Sequence, residues 1–421
     1  MELEVQRADN MMGVVNAPPS KSYSHRAFII ASLAEGTSQL KYPLYSEDTL
    51  ASLECCRTFG SDIEVKNMEC IVKGTGGDLQ TPDDVLNVKN SGTTLRIITS
   101  AASLATNYTV ITGDNSLRCR PMQDLIQALQ KLGVKLFSTR NNGKAPIIIK
   151  GGLNGGESTI KGNVSSQYIS SILISAPYAQ NPVNLKVQGD FISKPYVDMT
   201  LDIMRKFGVN VEYQSAEKSF HVTPQKYKAT EYNVEGDYSS ASYLIAAGAA
   251  LNSDLTVKNL DSKSKQGDQV ILDIVQEMGC NVQIKKDEVK LTSTGQLQGI
   301  NVELTNTPDL LPTVAALGAM ASGTTRIRGV EHARFKETDR IHTTAMELAK
   351  LGVIVREEDD GLIIQGGVNG GVVDSHHDHR LVMALYLIGL KVGKVRIKNA
   401  SVYDVSFPNF PQIMDKLAHR I

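Results

Sequence analysis

Five segments of the 421-residue chain end in an apolar residue followed by glycine and run straight into a strand-like stretch: CCRTFGSDIEV, ALQKLGVKLF, IMRKFGVNVEY, IVQEMGCNVQI and ELAKLGVIVRE. Their glycines, Gly60, Gly133, Gly208, Gly279 and Gly352, are spaced by 73, 75, 71 and 73 residues. Self-similarity at a fixed period restricts a chain to stacked or symmetric copies of one supersecondary unit. Glycine at that point suits the left-handed residue that closes a helix.

A second series interleaves with the first: SKSYSHRAFIIASLA, NSGTTLRIITSAASLA, SSQYISSILISAPYA, YSSASYLIAAGAAL, TPDLLPTVAALGAMASG and HDHRLVMALYLIGL. With Ser22, Gly92, Ser166, Ser239, Asp309 and His379 as marks, the steps are 70, 74, 73, 70 and 70. Each segment starts with residues that cap orphan helix N–H groups and continues apolar on every face, the pattern of an interior helix. Two short strand patterns around a turn follow each apolar-glycine signal, as in VKLFSTRNNGKAPIIIKG and VIVREEDDGLIIQGG. A unit therefore reads as strand, buried helix, strand, amphipathic helix and hairpin. Six such units are expected, the last closing with FPQIMDKLAHRI.

The halves echo each other: IIIKGGLNGGES at Ile147 and LIIQGGVNGGVV at Leu362 lie 215 residues apart, about three units. Two α/β domains of three repeats each follow, one covering 20–234 and the other 1–19 plus 235–421. A chain of this length exceeds what one core usually organises, which agrees.

Composition narrows the function. With 44 basic against 45 acidic side chains, no global field points to nucleic acid or an anionic membrane, so any anion recognition must be local. The start of the sequence has no basic stretch leading into an apolar one, and no segment approaches the length of apolar residues that spans a bilayer. A soluble, cytoplasmic protein is expected. The five cysteines, Cys55, Cys56, Cys70, Cys119 and Cys280, form no CxxC pair or disulfide framework, and small buried apolar residues account for them.

The mouths of the six buried helices carry the chemistry. A helix N-terminus offers unpaired N–H groups and a partial positive charge, so it binds phosphate or carboxylate. Polar and cationic residues gather there: Lys21, Ser22 and Arg26; Asn90, Gly92, Thr93 and Arg96; Ser165, Ser166 and Gln167; Asp309; Asp378, His379 and Arg380. Arg120, Lys194, Lys336 and Arg340 lie in connecting segments. Capping alone explains any single mouth, but not several that share arginine or lysine. Arg26 and Arg96 sit about one turn inside apolar helices, where an unpaired guanidinium costs several kcal/mol, so anionic partners are expected. Asp48, Glu47 or substrate oxygens are the candidates. GxxxxGK[ST], GxGxxG, HExxH and GxSxG motifs are absent, and the HHDH run at His376–His379 lacks companion ligands, so no metal is expected.

At PPSKSYSHRAFI, NSGTTLR, RCRPM, SSQYISSILISAP, SKPYVDMT, EGDYSSASY, PDLLPT, FKETDRI and DHRLVMA the chain resembles the 3-phosphoshikimate 1-carboxyvinyltransferase (EPSP synthase) family, in order from residue 21 to 410. The resemblance implies a two-domain inside-out α/β barrel of six βαβαββ repeats, with buried helices aimed at an interdomain cleft holding the active site. It implies transfer of the enolpyruvyl group of phosphoenolpyruvate to the 5-hydroxyl of shikimate 3-phosphate, with release of phosphate, in the shikimate pathway to chorismate and aromatic amino acids. No cofactor is implied, and a monomer acting on small molecules is expected. Shikimate 3-phosphate would be held by Lys21, Ser22, Arg26, Ser165, Ser166, Gln167, Ser193, Tyr196, Asp309 and Lys336. Phosphoenolpyruvate would meet Lys21, Asn90, Gly92, Arg120, Gln167, Arg340 and Arg380. Asp309 is assigned as the base at the 5-hydroxyl and Glu337 as the donor to the methylene carbon, with the reverse assignment, or a share for Lys21, left open. Gly92 lets the backbone approach phosphoenolpyruvate, so a glyphosate-sensitive enzyme is expected.

Three positions depart from the family pattern. Val405 stands where many relatives have a phosphoenolpyruvate-contacting lysine, which predicts weaker binding or compensation; Ile97 and His332 replace a proline and an asparagine. The alternatives are the sister transferase acting on UDP-N-acetylglucosamine and a non-catalytic anion-binding homologue. The first has Lys-Asn where this chain has Lys21 and Ser22, and a reactive cysteine several residues before its Arg-Pro pair, whereas Cys119 directly precedes Arg120. The second would be expected to lose Asp309, Glu337 or several arginines.

Overall fold

The computed structural model describes residues 1–419; Arg420 and Ile421, the end of the expected sixth repeat, lie outside the described residues. The chain divides into two compact units, Lys21–Val234 and Met1–Ser20 with Glu235–Ile421.

In Lys21–Val234 the interior helices are Lys21–Leu33, Gly92–Ala101 and Ser166–Ser175. In the first, every residue from Tyr23 onward is buried, which is why its apolar residues show no face. The Gly92–Ala101 helix packs against both of the others. Outer helices such as Gln123–Lys131 bury only one stripe, Leu125, Ile126, Ala128 and Leu129. Three four-stranded sheets complete the unit. The last is typical: Gly156–Lys161 runs parallel to Val183–Gln188 after the helix Ser166–Ser175, and Glu212–Gln214 and Ser219–Val222 form the antiparallel hairpin beside it. That is the βαβαββ order.

In the other unit, the helices Tyr238–Ala250, Leu311–Met320 and His379–Val392 pack against one another, and all thirteen residues of the first are buried. Two strands trade places across the repeat. Asn10–Asn16 lies parallel to Asn252–Lys258, while Glu231–Asn233 lies parallel to Thr37–Lys41. The sixth repeat differs from the expected unit. It has the parallel pair Gly371–Asp374 and Val395–Lys398 but no hairpin of its own; Leu3–Val5 fills the antiparallel slot, and the segment after Phe410–Leu417 pairs with Asn10–Met11.

The five repeat glycines all adopt left-handed φ, 101°, 90°, 84°, 112° and 80° in chain order, one residue past their helix caps. Side-chain caps come from Ser91, Ser165, Asp237 and Asp378 at four buried helices. Leu311–Met320 is entered through the 3-10 turn Pro308–Leu310, in which Asp309 is an interior residue.

Candidate active site

The unit Lys21–Val234 ties two of its helix mouths together through Gln167. Arg96 Nη1 donates to Gln167 Oε1 at 2.5 Å, and Gln167 Nε2 donates to Thr93 Oγ1 at 2.9 Å, so the second and third mouths are linked directly. Arg96 also lies 5.6 Å from the Tyr168 ring centre, within cation–π range. Ser165 accepts from the Gln167 N–H and Ser166 is buried beside it. Ser193 holds a left-handed φ of 53° at the entry to the helix Lys194–Lys206.

Arg26 pairs with neither of the two carboxylates, Asp48 and Glu47, that the sequence offered as candidates. The guanidinium is 1% exposed, yet among the described residues it pairs with no carboxylate. Nε donates to Thr200 Oγ1 (2.8 Å), Nη1 to the Ser22 carbonyl (2.8 Å), and Nη2 to the Tyr196 carbonyl (3.0 Å) and Ser170 Oγ (3.4 Å). Hydroxyls and carbonyls satisfy the donors without cancelling the charge. Burial pushes the Arg26 pKa down to about 10, so it is still a cation at neutral pH. Asp48 instead pairs with Lys21 at 2.5 Å, and Glu47 is exposed.

Gly92 leaves room for the Arg120 guanidinium. A Cβ there would stand 2.5 Å from Arg120 Nη1, far inside contact distance, and 3.5 Å from Arg96 Nη1. Arg120 Nη2 donates to Asn90 Oδ1 (2.7 Å), whose amide donates to Asp114 (2.7 Å).

The second unit builds its cluster from opposite charges. Asp309 accepts from Arg340 Nη1 (2.8 Å) and Arg380 Nη2 (2.9 Å), with Lys336 Nζ at 3.4 Å. Burial would raise the Asp309 carboxyl, but Arg380, Lys336 and Arg340 outweigh it and hold it well below the usual carboxylate range. Arg340, with a side chain 2% exposed, also donates through Nε to Asp378 (2.7 Å) and through Nη2 to Glu337 (2.5 Å). Burial works against its charge, but three carboxylates around one guanidinium raise its pKa further. Asp378 is fully buried and also caps its helix by accepting from the Arg380 N–H. His376 of the HHDH run turns to the buried Glu347 at 2.6 Å. Val405 is half-buried at the end of the 3-10 stretch Ala400–Val405 and brings no charge, and His332, half-buried near Lys336, is pushed down to about 4, chiefly by burial.

Thr200, Ser170 and the Lys21–Asp48 pairing were not singled out from sequence. Thr200 lies four residues after Tyr196, one helical turn on, which is the signal that places both beside Arg26.

Comparison with known proteins identifies the family. Residues 5–414 match the family described as EPSP synthase (3-phosphoshikimate 1-carboxyvinyltransferase). The chain is 56% identical over 421 residues to the 3-phosphoshikimate 1-carboxyvinyltransferase of Methanothermobacter thermautotrophicus, covering 100% of this chain and 99% of that protein. The Methanosphaera stadtmanae protein of the same name is 54% identical over 424 residues, covering 99% of this chain and all of the relative. A solved EPSP synthase from Acinetobacter baumannii superposes with a TM-score of 0.83 at 27% identity, covering 99% and 98% of the two chains. The fold is therefore the two-domain inside-out α/β arrangement of repeated units, and the chain belongs to the EPSP synthase family, whose members are enzymes.

Proposed function

We propose that the protein transfers the enolpyruvyl group of phosphoenolpyruvate to the 5-hydroxyl of shikimate 3-phosphate, forming 5-enolpyruvylshikimate 3-phosphate and inorganic phosphate. The observation that carries this reading is Asp309, a buried carboxylate gripped by Arg340, Arg380 and Lys336 in a chain whose whole length matches the family. Residues 20–234 and 1–19 plus 235–421 act as its two enolpyruvyl-transferase domains.

The reaction adds the 5-hydroxyl oxygen to C2 of phosphoenolpyruvate as its methylene carbon takes a proton, giving a tetrahedral ketal. Loss of a proton from that carbon and of phosphate from C2 restores the double bond. Asp309 takes the hydroxyl proton, and Glu337 delivers and recovers the carbon proton. Both carboxyls share Arg340, so charge lost at one is felt at the other. In the resting site the cations make Asp309 a weak base. When the carboxylate and phosphate of phosphoenolpyruvate occupy Arg340 and Arg380, part of that positive field is compensated and the basicity of Asp309 rises. Arg120, Asn90, the backbone at Gly92, Gln167 and Lys21 complete the phosphoenolpyruvate contacts.

Shikimate 3-phosphate is held by Lys21, Ser22, Arg26, Ser165, Ser166, Gln167, Ser193, Tyr196, Asp309 and Lys336. The uncompensated charge of Arg26 supports an anionic occupant. No helix of the described residues is long and apolar enough to cross a membrane. The enzyme works in the cytoplasm as a monomer; light scattering of the 45.7 kDa chain tests the latter.

The direct test measures phosphate release from phosphoenolpyruvate with shikimate 3-phosphate beside UDP-N-acetylglucosamine, using Asp309→Ala and Glu337→Ala as controls. Release with shikimate 3-phosphate alone, lost in both variants, is expected. Release with the nucleotide sugar alone would reassign the acceptor, and silence with both would sink the reading.

A further inference from the structure

The unit that holds Asp309 contains another buried carboxyl that the reaction above does not use. Asp268 lies in the 3-10 turn Gly267–Val270 and is 3% exposed. Its Oδ2 accepts from the hydroxyl of Ser239, in the first turn of the helix Tyr238–Ala250. Its Oδ1 is buried with no hydrogen-bond partner, and among the described residues no cation forms an ion pair with it. A carboxylate so placed is far more costly than a neutral carboxyl.

The charged groups that act on it are Asp237 at the cap of the Tyr238–Ala250 helix, Asp309 from the turn Pro308–Leu310 and Arg380 from the helix His379–Val392. Burial and the charges of Asp309 and Asp237 push the Asp268 carboxyl up to about 7, against the pull of Arg380 and Ser239. Asp309 keeps its charge because three cations hold it there. Two interacting carboxyls with such unequal support titrate as a pair, the better-supported one ionising first.

We propose that Asp268 is a positioning residue for Asp309: it holds a proton while Asp309 is ionised, and its own ionisation makes Asp309 the stronger base toward the substrate hydroxyl. The proposal rests on the assignment of Asp309 as base.

Asp268→Asn, permanently neutral and nearly isosteric, tests it. Rates of phosphate release are compared with those of the unsubstituted enzyme across the range from about pH 5.5 to about pH 8.5, the span in which a carboxyl raised to near neutrality titrates. Titration of the substrate phosphates is common to both enzymes and cancels in the ratio of their rates. That ratio is expected to fall by about threefold or more as pH rises through neutrality, because the variant cannot gain the second negative charge. A ratio constant with pH, the signature of a merely structural defect, would overturn the proposal.

Thermal unfolding gives a readout independent of activity. The folded protein keeps a proton that the unfolded chain releases above the ordinary carboxyl value of 3.8, so Asp268 makes stability fall as pH rises from there to about 7, and no further above it. The melting temperature of Asp268→Asn should therefore gain on that of the unsubstituted protein over this window. A difference that does not vary with pH overturns the proton assignment, and a varying one with a constant rate ratio overturns the link to Asp309. Should Asp268→Asn fail to fold, Ser239→Ala removes the hydroxyl that favours the carboxylate and should move the rate step to higher pH; an unmoved step counts against the proposal. Absence of any turnover by the unsubstituted enzyme would sink the reaction itself while leaving the melting test of Asp268 intact.

Discussion

Arg26 and Arg340 are both almost completely buried, and their surroundings are opposite in kind. Arg26 is bound by two hydroxyls and two backbone carbonyls, which satisfy its donors and leave its charge intact. Arg340 is bound by Asp309, Glu337 and Asp378, so its charge is already paired with carboxylates. A guanidinium held by neutral acceptors keeps its charge available to an anion. One held by carboxylates sets the protonation of those carboxylates instead. The same residue type thus meets neutral acceptors in one unit and carboxylates in the other; under the proposed function Arg26 serves recognition, and Arg340 adds control of the carboxylates to its contact with phosphoenolpyruvate.

The largest effect expected from breaking this contrast is at Asp309. Asp309→Asn removes the negative charge that Arg340, Arg380 and Lys336 share, and with it the base, and should lower kcat by about a thousandfold, the scale of a lost general base, in a phosphate-release assay. Next is Arg26→Lys, which keeps the charge but cannot reproduce a fork reaching Thr200, Ser170, Tyr196 and Ser22. It should cost about a hundredfold in kcat/KM for shikimate 3-phosphate, about 2.7 kcal/mol, with the loss mainly in KM. Equal losses in kcat and KM would place Arg26 in the chemistry and blur the division between the units.

A smaller change is expected from Gly92→Ala. The added methyl pushes Arg120 aside, so KM for phosphoenolpyruvate should rise by about tenfold, and glyphosate should inhibit the variant less well than the parent. The smallest is a matter of pH. Because the Asp309 carboxyl is held below 3.8, it contributes stability that is present above that value and lost as pH falls through the lower folded value. The melting-temperature gap between the parent and Asp309→Asn should therefore narrow as the solution is acidified below about pH 4; a gap that widens would contradict the assigned charge state.

Much of this was legible in the sequence because the repeat is written in two redundant codes, the helix-closing glycines and the all-apolar helices. Gly60 through Gly352 mark positions where the backbone must turn left-handed, a need that few other residues meet. The polar residues at the helix mouths stood out against apolar runs for the same reason. What stayed hidden depends on contacts distant in sequence. The partners of Arg26 lie 144 and 174 residues away, as Ser170 and Thr200, and neither is charged, so a search for carboxylates passed them by. Asp268 was overlooked because an aspartate in a polar turn reads as exposed until its neighbours fold over it. The missing hairpin of the sixth repeat was concealed because Leu3–Val5, which replaces it, is nearly 400 residues upstream and too short to show a pattern.

The exchanged strands have a consequence for synthesis. Every strand of the three sheets in Lys21–Val234 comes from within that stretch, so its sheets can form as soon as residue 234 has left the ribosome. Asn10–Asn16 is made earlier but must wait for Asn252–Lys258, 242 positions later. At about 5 to 20 residues per second that strand spends about 10 to 50 seconds with its edge unmatched. The first part of the polypeptide to be translated is thus among the last to find its place.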